Sequence, residues 1–170
     1  MKELLVDYIP SPIGTIVIIV DGDMLCSLDF EDYTERMMQL LKRRYAEVLL
    51  KQVDNPNGFS TLIGNYFAGD YECLTAIPVN SGGTCFQQQV WTALREIPVG
   101  QTVAYSRLAA GIGKPAAARA VGMANSLNPI AIVLPCHRVV GSNASLTGYA
   151  GGLHRKHWLL EHEHAILQYK

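Results

Sequence analysis

Charge is scarce in this sequence. Only 17% of its 170 residues are charged, while 49% are hydrophobic. That balance excludes a disordered polar chain and a polybasic tail protein. Histidine is absent before His137, so the first half offers no imidazole to a metal site. The four cysteines (Cys26, Cys73, Cys85, Cys136) include no CxxC pair, so no zinc-ribbon or thioredoxin-like motif is present. No apolar run approaches the ~18 residues of a membrane span, and no signal-peptide apolar region follows Met1-Lys2-Glu3. There is no internal repeat. The expectation is a soluble cytoplasmic protein without membrane contact, with free thiols. Its length allows one compact domain or two small ones.

The net charge of −1 averages two unlike halves. Residues 1–85 carry six basic and twelve acidic side chains, a net of −6. Residues 86–170 carry eight basic and three acidic, a net of +5, and all five histidines. Such asymmetry fits a polyanion-binding half beside a non-binding one, and equally a chance surface distribution. It marks a boundary near the loop-like stretch Asn80-Ser81-Gly82-Gly83-Thr84. The expected domains are therefore 1–80 and 81–170.

In the first half, the β-branched run Ile13–Val20, the turn Asp21-Gly22-Asp23 and the alternating Met24–Phe30 predict a hairpin. Thr34 is placed to cap a helix over Glu35–Tyr45. A second helix is expected over Ser60–Phe67. This is a small α+β unit with no chemical constellation, and Cys26 and Cys73 read as packing residues.

The second half reads as mostly helical. Phe86, Val90, Trp91 and Leu94 share one helix face. A short helix is expected over Val103–Ala110, then a Gly-containing turn, then a helix begun by Pro115 and running to about Ser126. That is a helix-turn-helix pattern. The second of these helices is rich in alanine and carries one long side chain, Arg119. A helix so thin suits close helix packing or close approach to a DNA groove. Beyond Asn128-Pro129, the apolar run Ile130–Leu134 reads as a buried strand delivering Pro135-Cys136-His137-Arg138-Val139.

A cysteine beside a histidine and an arginine sits where its thiolate is favoured. Cys136 could equally be a packing residue. One Cys-His pair is poor zinc spacing. A cysteine hydrolase would need a separate histidine, for which His154, His157, His162 and His164 are available.

The ordered set Phe86-Gln87-Gln88-Gln89-Val90-Trp91, Ile97-Pro98, Tyr105, Ala117-Ala118-Arg119-Ala120-Val121-Gly122, Asn128-Pro129, Pro135-Cys136-His137-Arg138-Val139, Gly148-Tyr149-Ala150-Gly151-Gly152, Lys156, Trp158-Leu159-Leu160 and His162-Glu163 closely resembles the O6-alkylguanine-DNA alkyltransferases. The resemblance covers about residues 82–165. Residues 1–80 match only loosely, as that family's small ribonuclease-H-like domain. The implied fold is α/β (α+β), with a mostly helical second domain carrying the helix-turn-helix.

The resemblance implies irreversible, single-turnover transfer of an alkyl group from O6 of guanine in double-stranded DNA to Cys136. O4-alkylthymine is a second candidate base. No cofactor, no metal and no membrane are implied, and the protein is expected to be a monomer. His137 is implied as the base acting through a water, Glu163 as its orienter, and Tyr105 as proton donor to the guanine. Arg119 matches the finger that replaces a flipped base, with Ala117, Ala118, Ala120 and Tyr105 also facing DNA. The carbonyls of Cys136 and Val139 are expected at the guanine amino group. The Ala150 amide is expected at O6, with Tyr149 as a pocket wall. Asn128 is expected to be a structural hydrogen-bonding residue. Two departures stand out: Cys85 replaces the usual proline before Phe86, and Asn143-Ala144 replaces an Asn-Gly turn. Glu161 has no implied role. Two other readings remain: a sensor that binds alkylated bases without repair, and a cysteine hydrolase. The first leaves Cys136 without a purpose, and the second leaves Arg119 and the alanine-rich helix unexplained.

Overall fold

The computed structural model describes residues 1–141 and 146–165, so the expectation for Asn143-Ala144 lies outside the described residues. The chain divides into two compact units, Met1–Gly82 and Gly83–Lys170.

The first unit is built on four strands, β1 (Lys2–Ile9), β2 (Ile16–Asp21), β3 (Met24–Phe30) and β4 (Val48–Gln52). Their order is β3-β2-β1-β4, antiparallel except for the parallel β1–β4 pair. The hairpin read from Gly22 and its flanks is β2–β3. Central β2 is apolar along its length because both of its faces are buried. Val17 and Ile19 join Leu4, Val6, Cys26, Met37 and Leu41 in one core cluster. Their neighbours Ile16, Ile18 and Val20 are buried on the opposite face.

Helix α1 (Thr34–Arg44) supplies Met37 and Leu41 to that cluster. Thr34 does not cap it, contrary to expectation. A 3-10 turn over Glu31–Tyr33 precedes the helix, and the Thr34 hydroxyl donates to the Glu31 carbonyl at 2.6 Å instead. Helix α2 (Phe59–Phe67) buries Phe59, Ile63 and Tyr66. Strands β1 and β4 had no counterpart in the sequence reading. In β1 buried and exposed positions do not alternate cleanly, and in β4 the apolar Leu49 is exposed between the half-buried Val48 and Leu50, so a period-2 hydropathy pattern is weak in both.

The second unit holds α3 (Cys85–Arg95), β5 (Val103–Ala104), α4 (Tyr105–Gly111), α5 (Ala118–Ser126), β6 (Val139–Val140) and α6 (Leu153–His162). Thr84 and Gln87 close a reciprocal capping box at the start of α3, typically worth about 1 kcal/mol. Gly83 has φ +81°, and a Cβ there would lie 2.6 Å from the Trp91 ring. Only glycine lets the chain enter α3 over that indole. The buried Trp91 N–H donates to the Ala124 carbonyl at 2.9 Å, fastening α3 to the end of α5.

Three expectations in this unit are corrected. Val103 and Ala104 are not helical but pair in parallel with Val139 and Val140, so α4 starts at Tyr105. Pro115 does not open α5. Its turn is closed by the Ala117 N–H donating to the Lys114 carbonyl at 2.9 Å, with Pro115 second in the turn. The fixed φ of proline suits that position as well as a first helical turn. The run Ile130–Leu134 is buried, as its apolarity demands, but it is a turn and not a strand. The Leu134 N–H donates back to the Ile130 carbonyl at 3.0 Å, and Ile132 sits at φ +72°. For a β-branched residue that is a strained conformation, costing roughly 1–3 kcal/mol.

Candidate active site and DNA-facing helix

Cys136 opens a 3-10 turn, Cys136–Arg138, whose three residues are buried. Asn128 holds the approach to it. Its Oδ1 accepts from the Ile130 N–H at 2.9 Å, and its Nδ2 donates to the Leu134 carbonyl at 2.8 Å. One side chain thus clamps both ends of the strained turn leading to Cys136. Asn125, on the buried side of α5, donates from Nδ2 to the Cys136 carbonyl at 3.3 Å. The same carbonyl also accepts from the Val139 N–H.

His137 is fully buried, and its Nε2 lies 2.8 Å from Glu163 Oε2. Arg138 grips the same carboxylate at two points, Nε to Oε1 at 2.8 Å and Nη2 to Oε2 at 3.0 Å. Its Nη1 donates to the Ile97 carbonyl at 2.7 Å. Glu163 follows α6 directly, with its carbonyl beside Gly100. The Ile97–Gly100 loop and the end of α6 therefore meet through Arg138 and Glu163.

Burial and the Glu163 contact together assign the tautomer. Burial pushes the His137 imidazole below its usual range, outweighing the pull of Glu163. Burial alone would raise Glu163, but His137 and the forked Arg138 contacts together hold its carboxyl well below the usual range. With His137 neutral, the charged partner of Glu163 is Arg138. An anionic Glu163 can only accept, so His137 carries its proton on Nε2 and leaves Nδ1 as a bare acceptor. That Nδ1 is buried and has no hydrogen-bond partner among the described residues.

Lys156 on α6 is fully buried. Its Nζ donates to the carbonyls of Val139 (2.6 Å), Thr147 (2.8 Å) and Gly148 (3.2 Å). Burial pushes its pKa down to about 8, while Cys136 acts in the opposite direction. A cation on Lys156 therefore favours a thiolate on Cys136. Tyr149 and Ala150 lie in the turn that enters α6, closed by the Gly152 N–H donating to the Tyr149 carbonyl at 2.9 Å.

Tyr105 is the first residue of α4, half-buried. A Cβ on Gly122 would lie 4.0 Å from its ring, so the Tyr105 ring rests against α5 at van der Waals distance. Arg119 and Ala120 are exposed on α5, while Ala117 and Ala118 at its start are half-buried. Of the remaining histidines, His154, His157 and His164 are exposed, and His162 stacks on Trp158. Cys85 is exposed at the first position of α3. Among the described residues no three His, Cys, Asp or Glu side chains are grouped to hold a metal.

The grip of Arg138 on Glu163, the Asn125 tether and the Lys156 clasp are absent from the sequence reading. Arg138 read only as a cation beside the thiol. Lys156 was visible as a motif position without a role. Asn125 carried no signal, since a polar residue in an alanine-rich helix reads as exposed.

A buried thiol with a neutral histidine backed by a carboxylate, on a unit that presents a helix-turn-helix, defines a cysteine-dependent transfer protein with a nucleic-acid-binding fold. Two family models extend that reading over nearly the whole chain. The 6-O-methylguanine DNA methyltransferase ribonuclease-like domain matches residues 4–81, and the DNA binding domain of the same name matches residues 85–165. The chain belongs to the 6-O-methylguanine DNA methyltransferase family. It is 46% identical to the methylated-DNA–protein-cysteine methyltransferase of Shigella flexneri, over 98% of this chain and 99% of that one. Identity to the Salmonella typhimurium protein of the same name is 47%, with the same coverage. Among solved structures, Mycobacterium tuberculosis O6-methylguanine methyltransferase superposes with a TM-score of 0.77 at 37% identity, over 97% of this chain and 94% of that one. Its complex with DNA gives 0.77 at 38%, over 96% and 93%. The mixed fold, with a sheet-based first unit and a helical second unit, is that of these neighbours. Among the described residues no helix is long and apolar enough to cross a membrane.

Proposed function

We propose that this protein repairs DNA by direct reversal, moving an alkyl group from O6 of guanine in a duplex onto Cys136, once per molecule. The observation that carries the reading is the orphaned Nδ1 of His137. It belongs to the residue next to the thiol, and Glu163 fixes its tautomer.

A free thiol with pKa ~8.5 is only about 3% thiolate at neutral pH. Full ionisation gains about 30-fold, or ~2 kcal/mol. His137 Nδ1 takes the Cys136 proton through a water, and Lys156 favours the resulting anion. The sulfur attacks the alkyl carbon, the carbon–O6 bond breaks, and a thioether forms. The bonding pair passes to the purine, which leaves as neutral guanine once Tyr105 donates a proton. The Tyr105 proton is restored from solvent. The steps balance without a cofactor, and nothing regenerates the thiol.

The target atom lies inside the base stack, so the nucleotide is flipped out at a cost of a few kcal/mol. Arg119 enters the gap, and the thin start of α5 with Ala117, Ala118 and Ala120 lies in the minor groove. The carbonyls of Cys136 and Val139 face the guanine amino group, the first held in place by Asn125 and the second by Lys156. Tyr149 walls the pocket, the Ala150 amide faces O6, and Asn128 keeps the nucleophile turn in shape. Residues 81–170 carry catalysis and DNA binding, and 1–80 form a companion domain. The protein acts as a cytoplasmic monomer.

The test is a count of lesions. With O6-methylguanine duplex in excess, repair stops at one lesion per protein molecule, and Cys136→Ser binds the duplex without repairing it. Continued turnover, or repair by the serine variant, contradicts the reading.

A further inference from the structure

The outward stripe of α5 has members that the proposed mechanism leaves unused, and Met123 is the apolar one. Arg119, Met123 and Ser126 stand at i, i+4 and i+7 on this helix and are all exposed, so they share one face. Met123 is 63% exposed, more than Leu153 at 48%, the other large apolar side chain exposed among the described residues of this unit. Its neighbours on the same face are small or polar. The Ser126 hydroxyl donates to the Met123 carbonyl at 2.7 Å and lies 3.8 Å from its sulfur, which borders the thioether with a polar group.

We infer that Met123 is a second minor-groove contact, an apolar wedge one helical turn beyond the Arg119 finger. The inference rests on the reading of α5 as the helix that enters DNA. The four-residue step from Arg119 to Met123 advances about 6 Å along the helix, just under two base-pair rises of about 3.4 Å. A helix lying along the groove therefore sets Met123 against sugars and base edges next to the step that Arg119 enters. Methionine is unbranched and adaptable, and it is among the side chains that unstack and widen minor grooves. The contact is uncharged, so it strengthens binding without releasing counterions. Arg119 binds by the opposite route, with a charge that displaces them.

That difference is the test. Affinity for an O6-methylguanine duplex is measured against salt for the wild type, Met123→Ala, Met123→Leu and Arg119→Ala. Reaction with free O6-benzylguanine, which needs no DNA, is measured in parallel. Met123→Ala is expected to bind the duplex about tenfold more weakly, with the wild-type salt slope and an unchanged benzylguanine rate. Met123→Leu restores most of the affinity. Arg119→Ala lowers the salt slope by about one. If Met123→Ala binds as the wild type does while Arg119→Ala is weakened, the Met123 inference alone fails. If neither variant changes duplex binding, the reading of α5 fails with it. An equal loss of benzylguanine reactivity in Met123→Ala would place the residue in the pocket and overturn the inference.

Discussion

At the scale of single residues, Glu163 ties His137 to Arg138. It fixes the proton on His137 Nε2 and is itself held anionic by Arg138. Removing the base with His137→Ala is expected to slow benzylguanine transfer by roughly 100-fold or more. Glu163→Gln should also slow it, by removing the charge that stabilises the imidazolium. The same pair controls acid stability. The folded-state pKa of Glu163 is depressed, so the unfolded chain binds its proton first as pH falls. The stability Glu163 contributes is complete above its unfolded pKa and drains away below about pH 5. Urea unfolding of Glu163→Gln should show a lower plateau at neutral pH and a flatter acid limb. An acid limb as steep as that of the wild type would contradict the pairing. Cys136 and His137 were legible in the sequence because adjacency is visible there. The second grip on Glu163 was not, because Arg138 and Glu163 are 25 residues apart and only the fold brings them together.

At the scale of elements, α5 and the turn after it link the exposed Arg119 face to Cys136. One face of α5 carries Arg119 and Met123. The other buries Val121, Ala124 and Asn125, and Asn125 tethers the Cys136 carbonyl. Arg119→Ala should slow repair in duplex DNA far more than reaction with free O6-benzylguanine. Equal slowing of both would remove the finger role. The entry to α3 gives a purely structural prediction. Gly83→Ala imposes a side chain at φ +81° against the Trp91 ring, and urea unfolding should show a loss of about 1–3 kcal/mol. Helix periodicity made α3 legible through Val90, Trp91 and Leu94. It failed at Pro115, where a proline compatible with a helix start serves a turn. It failed again at Ile130–Leu134, because burial and apolarity do not separate a strand from a turn clamped by a distant side chain such as Asn128.

At the scale of the whole molecule, the low net charge averages two unlike units. The first unit is acidic and the second carries a net +5. So modest a positive charge predicts weak binding to undamaged duplex, falling steeply between about 50 and 200 mM salt. Binding that ignores salt would contradict it. The β2–β3 hairpin was legible in the sequence. The edge strand β4 was not, since its pairing with β1 is non-local and its exposed Leu49 is as apolar as the inward Val48 and Leu50. The central claim is that Cys136 itself receives the alkyl group. Its most direct test is the peptide mass map of the protein after incubation with O6-methylguanine duplex. The account predicts one methyl group, confined to the peptide containing Cys136 and saturating at one per molecule. An unmodified Cys136 peptide after complete repair, or a methyl group on Cys85 instead, would contradict it.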